Sequence, residues 1–325
     1  MVSSPSVLCP VDFSDNSRGA LRYAALIASR LGARLTLIAV NDPLLVEASQ
    51  LGVAPDHLVD DTVREIDRFC QRTLEGQLAA IGDVRLEVAA GKPADEILRL
   101  ARDRTADLIV MGSHGSTGFR KLFFGSTTER VLRETTVPVL VTPAGDAGPR
   151  RAEDVETTVR RVLVPVDLTA ATAHQVAVAN RIVEHAQLPL LLLHVIEPVR
   201  SMMGAHPRLP KIDAERRDRA ERHLEDLIAG VPPRVRPEAL VAYGEPAEEI
   251  AKVAEERDAG LIVMGLHSSQ VLGPRMGSVT YRVLCLAHRL VLAIPPQPAP
   301  AFRLSLEKTG GHHEELHRAA HSVDL

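Results

Sequence analysis

Tryptophan is absent from this sequence and aromatic residues make up only 3% of it, so platforms for stacking bases or sugars are not expected. The three cysteines, Cys9, Cys70 and Cys285, are odd in number and far apart. That pattern excludes a disulfide framework and a zinc site, and it reads as reduced thiols. Neither charge forms a long block, and Lys+Arg 38 against Asp+Glu 42 leaves a formal charge of -4. A sequence-independent nucleic-acid clamp is therefore not expected. Charges interrupt every apolar stretch before membrane-spanning length. Met1 to Ser6 reach the apolar run at Val7 without a basic n-region or a signal-peptide core, so a cytoplasmic protein with no membrane partner is expected.

What the sequence does have is a repeat. The 325 residues suggest about two domains at roughly 150 residues each, and the second half restates the first. GKPADEILRLARDRTADLIVMGSHGS at 91–116 matches GEPAEEIAKVAEERDAGLIVMGLHSS at 244–269 at more than half of its positions. Upstream, SVLCPVDFSDNS around Asp12 aligns with RVLVPVDLTAAT around Asp167; downstream, GSTTERVL aligns with GSVTYRVL.

Each copy alternates short apolar runs with amphipathic stretches of helical period, the pattern of βα units on a parallel sheet. Strands are expected at 7–12, 34–41, 84–89, 108–112 and 137–142, and in the second copy at 162–167, 188–196, 235–242, 261–265 and 290–295. Helices are expected at 17–31, 58–80, 94–103 and 126–135, with equivalents in the second copy. Unbroken runs such as LIVMG and LLLLHVI suit strands covered on both faces. The fold class is α/β: two tandem Rossmann-like, doubly wound domains at 1–144 and 160–297, each with a five-stranded parallel sheet flanked by helices. Polar residues 145–159, with their turn formers, read as a linker, and residues 298–325 as a tail. Segments 42–56 and 197–212 read as long loops, either lids or partner surfaces (Met202 and Met203 suit the latter) or variable connections.

The sharpest motif follows the fourth strand, where VMGSHGSTGFRKLFFGSTTERVL spans 110–132. Gly112, Gly115, Gly118 and Gly125 let the backbone approach a ligand closely and adopt positive φ, turning N–H groups toward an anion. The helix expected from Ser126 offers unpaired N–H groups and the positive end of its dipole. Ser126 and Thr127 add hydroxyls. Ser126 and Glu129 also have capping-box spacing, which competes with a ligand role. Arg120 and Lys121 either neutralise ligand charge or form a solvated basic pair. Ligands of open α/β sheets sit beyond the carboxyl ends of the strands, which brings Asp12 and Val40 to the same crevice. Asp12 either accepts hydrogen bonds from a base or ribose or caps the following helix. Ser14 and Ser17 read as the start of that helix. The loop is not a Walker A loop, since no G-K-[ST] follows, and no G-x-G-x-x-G follows the first strand.

The spacing Gly112-x2-Gly115-x9-Gly125-Ser126, preceded by LIVMG and combined with PVDFS at Pro10 to Ser14, resembles the nucleotide-binding pattern of the universal stress protein family. The whole first copy fits and the second fits more loosely, so residues 5–297 look like a tandem member. The resemblance implies ATP, with Mg2+, in the first copy. Pro10, Val11, Asp12 and Val40 would surround adenine and ribose. Met111 and Gly112 would lie along ribose and α-phosphate, and Gly115, Gly125, Ser126 and Thr127 would hold the phosphates. It also implies a role in stress response, a protein partner, and dimers formed through the last strand. Some family members hydrolyse ATP slowly or phosphorylate themselves, but no general base can be named here, so catalysis is not expected beyond that.

The second copy has drifted. Its motif reads Gly265-x2-Ser268-x8-Gly277-Ser278, one residue short, with Pro274 inside the loop and Tyr281 in place of Glu129. Weak or absent ATP binding is expected there; the alternative is a variant site in which His267 and Arg275 engage a different anion. The final strands, at 137–142 and 290–295, read as sheet edges that need cover. Paired with each other they would make an internal pseudodimer, with a homodimer as a further step. In the tail, His313, His317 and His321 recur every four residues. On a helix they would share a face able to bind a transition metal or to sense pH; alternatively the segment is solvated.

Overall fold

The computed structural model describes residues 4–51, 57–76, 80–115, 125–198, 210–232, 235, 237–266 and 276–296. Its first half runs β1 (Ser6–Pro10), α1 (Asp15–Leu31), β2 (Arg34–Asn41), α2 (Pro43–Gln50), α3 (Leu58–Leu74), β3 (Val84–Ala90), α4 (Pro93–Asp103), β4 (Leu108–Gly112), α5 (Ser126–Glu134) and β5 (Val139–Thr142). After α6 (Ala152–Thr158) come β6 (Val162–Pro165), α7 (Ala170–Ala186), β7 (Leu190–Ile196), α8 (Pro210–Ala229), β8 (Pro237–Tyr243), α9 (Pro246–Glu256), β9 (Leu261–Gly265), α10 (Ser278–Leu286) and β10 (Leu290–Ile294).

The strands form one ten-stranded sheet in the order β3-β2-β1-β4-β5-β10-β9-β6-β7-β8. Pairs within each half are parallel. The halves meet at β5 and β10, which pair antiparallel with Leu140 opposite Leu292, so the two strands that needed cover cover each other. Alternate residues enter two cores, one on each face. Val7, Cys9, Leu35 and Leu37 meet Leu21 of α1 and Ile66 of α3, while Leu8, Ile38, Ile109 and Met111 meet Ile97 of α4 and Leu132 of α5. Each fully buried aliphatic side chain contributes about 2 kcal/mol, and double-sided burial explains why these strands read as unbroken apolar runs.

Helix starts follow the sequence. Ser14 caps α1, its hydroxyl accepting from Ser17 N at 3.2 Å, and α4 and α9 begin at Pro93 and Pro246, where a missing N–H is harmless. Strand β1 stops at Pro10 instead of running to Asp12, although Val11 N still reaches Ile38 O at 2.9 Å. Segment 42–56 is not all loop: Asp42 accepts from Leu44 N at 2.8 Å and caps α2, with Pro43 in its first turn. Likewise α8 begins at Pro210, inside the second segment expected to be a loop; Met202 and Met203 lie outside the described residues. Helix α3 ends at Leu74, six residues short of the expected end, where Glu75 turns left-handed.

The stretch read as a polar linker is ordered by contacts with α1. Arg22 donates to Ala147 O at 2.6 Å, Tyr23 OH to Asp146 Oδ2 at 2.9 Å, and Gly145 N to Asn16 Oδ1 at 3.1 Å. Gly148 takes a positive φ of 71° against Gly19, and α6 follows.

Candidate functional site

Strand order reverses between β1 and β4, which pair only through Val7–Leu108 and Leu8–Ile109 and then separate. A cleft of about 350 Å³ opens there at their carboxyl ends, where ligands of such sheets bind. Pro10, Val11, Asp12, Val40, Met111, Gly112, Gly115, Gly125, Ser126 and Thr127 all line it. The sequence motifs separated by about a hundred residues thus meet around one space.

On the β1 side, Phe13 adopts a left-handed φ of 64°, strain of about 1–3 kcal/mol for such a residue. The turn lets Asp12 Oδ1 accept from Ser14 N at 3.2 Å and from Ser14 Oγ at 2.5 Å. Asp12 therefore does steady the helix start, through Ser14. Its other oxygen points at the glycine loop: a Cβ on Gly115 would lie 2.8 Å from Asp12 Oδ2.

Gly112, Gly115 and Gly125 serve proximity and not handedness. Gly125 is extended, at φ -62° and ψ 130°, and neither Gly112 nor Gly115 takes a positive φ, contrary to expectation. A Cβ on Gly112 would come within 3.1 Å of Asn16 Cβ and O, and one on Gly125 within 3.1 Å of Ser113 O. Gly118, Arg120 and Lys121 lie outside the described residues. Gly125 N bonds back to Ser113 O at 2.9 Å, and Ser113 N to Thr142 O at 2.9 Å, pinning both ends of the loop.

This pinning shifts the helix start. Gly125, not Ser126, is the N-cap of α5, and the carboxylate of Glu129 accepts from Arg133 at 2.6 Å instead of closing a capping box. The exposed Ser126 is the first helical residue. Among the described residues neither its hydroxyl nor that of Thr127 is used elsewhere, whereas Thr128 donates to Gly112 O at 2.9 Å. The competition between capping and ligand at Ser126 is thereby removed.

Sequence reasoning missed several lining residues: Phe13, Ser17, Asn41, Pro93, Ile97 and His114. His114 Nδ1 stands 3.0 Å from Ser113 Oγ. A signal for Pro93 and Ile97 was available, since both recur in the second copy as Pro246 and Ile250 within its longest matching stretch.

A second cleft, of about 450 Å³, occupies the equivalent place in the second half, lined by Asp167, Val195, Gly265, Gly277 and Ser278 among others. The scaffold is kept: Leu168 has φ 60°, Gly277 caps α10, and Thr280 donates to Gly265 O at 2.9 Å. His267, Ser268, Pro274 and Arg275 lie outside the described residues, as do His313, His317 and His321. Burial, then Cys285 and the charge of Glu129, raise the phenol of Tyr281 above the usual range, against the opposing charge of Arg133. Among the described residues no cluster of His, Cys, Asp and Glu could hold a metal ion, and no helix is long and apolar enough to cross a membrane.

Comparison with known proteins agrees with this architecture. The model of the universal stress protein family matches residues 5–143 and again 158–295. Universal stress protein YxiE of Bacillus subtilis is 34% identical over 142 residues, 42% of this chain and 96% of that protein. Universal stress protein MT2698 of Mycobacterium tuberculosis is 25% identical over 305 residues, covering 89% of this chain and 96% of its own. The crystal structure of a universal stress protein from Archaeoglobus fulgidus superposes with a TM-score of 0.62 at 22% identity, over 90% of this chain and 97% of that one. Two family matches on two equivalent halves leave a plain conclusion: the chain belongs to the universal stress protein family, as a tandem of two of its domains.

Proposed function

We propose that this protein is a nucleotide-binding regulator of stress response that holds ATP, with Mg2+, in the first cleft. The observation carrying this reading is the geometry at the two described ends of the loop. Gly115 and Gly125 sit where any side chain would meet Asp12 Oδ2 or Ser113 O, and the start of α5 presents Ser126 and Thr127, whose hydroxyls no described residue uses. Pro10, Val11, Asp12 and Val40 would receive adenine and ribose, and Met111 and Gly112 the ribose and α-phosphate. Regulation requires that one conformer or partner complex bind ATP better than another. The strap from Gly145 to Gly148 supports such coupling, because Asn16 touches both Gly112 and Gly145. Calorimetric titration of nucleotide-free protein with Mg-ATP tests the reading. Binding near one site per chain, lost in Gly115→Val, is expected; no binding to folded protein overturns it.

A further inference from the structure

The second cleft keeps the apolar walls of the first but alters its polar lining. Val166, Val195, Ile250 and Met264 stand where Val11, Val40, Ile97 and Met111 stand in the first. At the phosphate end a donor is missing, since Val279 replaces Thr127. Elsewhere in the cleft acceptors have been added. The matching bonds Val11 N–Ile38 O and Val166 N–Leu193 O put His194 at the place of Ala39. Its Nδ1 lies 2.9 Å from Val166 O. A carbonyl only accepts, so Nδ1 is the donor, and in the tautomer that this bond selects Nε2 is an acceptor.

Gln175, on α7 at the place of Ala20, adds a second one. Its Nε2 donates to Pro165 O at 2.7 Å and to Val263 O at 2.8 Å, bridging the gap where β6 and β9 separate. Two carbonyl partners fix the amide and use both hydrogens. Oε1 is left on the cleft side, 3.6 Å from where a side chain on Gly265 would begin, in a residue only 9% exposed. Asp167, the counterpart of Asp12, keeps a carboxylate here as in the first cleft: Oδ1 takes Thr169 N, Thr169 Oγ1 and Thr172 Oγ1, and the carboxylate lines the space. Arg216, on the rim, donates to Glu197 O at 2.9 Å and stands 3.8 Å from Asp213, so its charge is met locally.

We infer that the second cleft is a separate binding site for an uncharged, flat heterocycle bearing N–H donors, nucleoside-sized and without phosphate. Apolar walls take the ring faces, and His194, Gln175 and Asp167 take its N–H groups. A triphosphate is disfavoured because it brings acceptors to a space that already supplies them, without the hydroxyl of Thr127 to receive them. The volume falls within the usual range for small-molecule sites, about 300–1,000 Å³.

The two methionines make the sites separately readable, Met111 in the first cleft and Met264 in the second. The full chain, methyl-labelled at methionine, is titrated with adenosine and with Mg-ATP while both methyl resonances are followed. Adenosine is expected to shift and saturate Met264, and ATP to do so at least roughly 10-fold more weakly. His194→Ala, which installs the first copy's residue, should weaken adenosine at Met264 by about 10-fold, one hydrogen bond to a half-buried group, and leave Met111 unchanged. An unmoved Met264, equal affinity for ATP, or an unaffected His194→Ala variant overturns the inference. Failure of ATP to move Met111 counts against the proposed function alone.

Discussion

Gly19→Ala isolates the contact between α1 and the segment leaving β5. Within a helix this exchange ordinarily stabilises by about 1 kcal/mol. Here the added Cβ would stand 2.1 Å from the backbone oxygen of Asp146, so the segment must lift. Lifting it breaks the bonds Arg22–Ala147, Tyr23–Asp146 and Gly145–Asn16, each a net contribution of about 1 kcal/mol. The contacts outweigh the propensity gain, and the expected result is a loss of about 2 kcal/mol. Tyr23→Phe, which deletes only the Asp146 bond, should cost about 1 kcal/mol. Urea unfolding reads the stability, and trypsin cleavage after Arg150 and Arg151, faster in Gly19→Ala, reads the lifting. A Gly19→Ala protein as stable as the original or more so, with cleavage unchanged, would refute the reasoning.

Other expectations follow from the same geometry. Ser126→Ala should weaken ATP in the first cleft roughly 10-fold yet change stability by less than about 0.5 kcal/mol, since Gly125 is the cap; a loss of about 1 kcal/mol in urea melts would mean that Ser126 caps after all. A thiol reagent should label one of the three cysteines quickly in native protein. Burial pushes Cys70 up to about 12 and Cys9 higher still, whereas Cys285 is partly exposed; two fast thiols would contradict the burial of Cys9 and Cys70 in one core. Burial raises the carboxyl of Asp107 above its ordinary 3.8, against the pull of the Ser6 N–H. The stability it lends is therefore full below pH 3.8 and lost as pH rises through its folded value. Asp107→Asn should flatten the stability profile across that window, and an unchanged pH profile of the urea midpoint would contradict it.

How far the sequence could be read depended on how local each cause was. Strands β2, β4 and β9 have the expected limits because burial on both faces leaves continuous apolar runs with polar ends. The Asp42-Pro43 pair was a legible helix start at α2, missed because the surrounding segment lacks strong apolar periodicity. The capping box failed by one residue: Ser126 has the right spacing to Glu129, but the cap is set by the bond from Gly125 N to Ser113 O, a contact between residues twelve apart that spacing alone does not show. The glycine positions were legible while their reason was not, since positive φ is a local property and proximity to Asp12 or Asn16 is a tertiary one. The docking of residues 145–148 lay beyond reach for the same cause, because its partners on α1 are more than a hundred residues away.

The antiparallel seam between β5 and β10 has a consequence for how such a chain changes over generations. When two identical subunits pair through their last strands, every substitution in one binding site is written into both. Joining the halves in one polypeptide removes that constraint, and each half inherits its changes alone. His194, Gln175 and Val279 could then accumulate on one side while Ala39, Ala20 and Thr127 stayed on the other. The seam also leaves β3 and β8, at the far ends of the sheet, as its outer strands, so a second chain has no last strand to join.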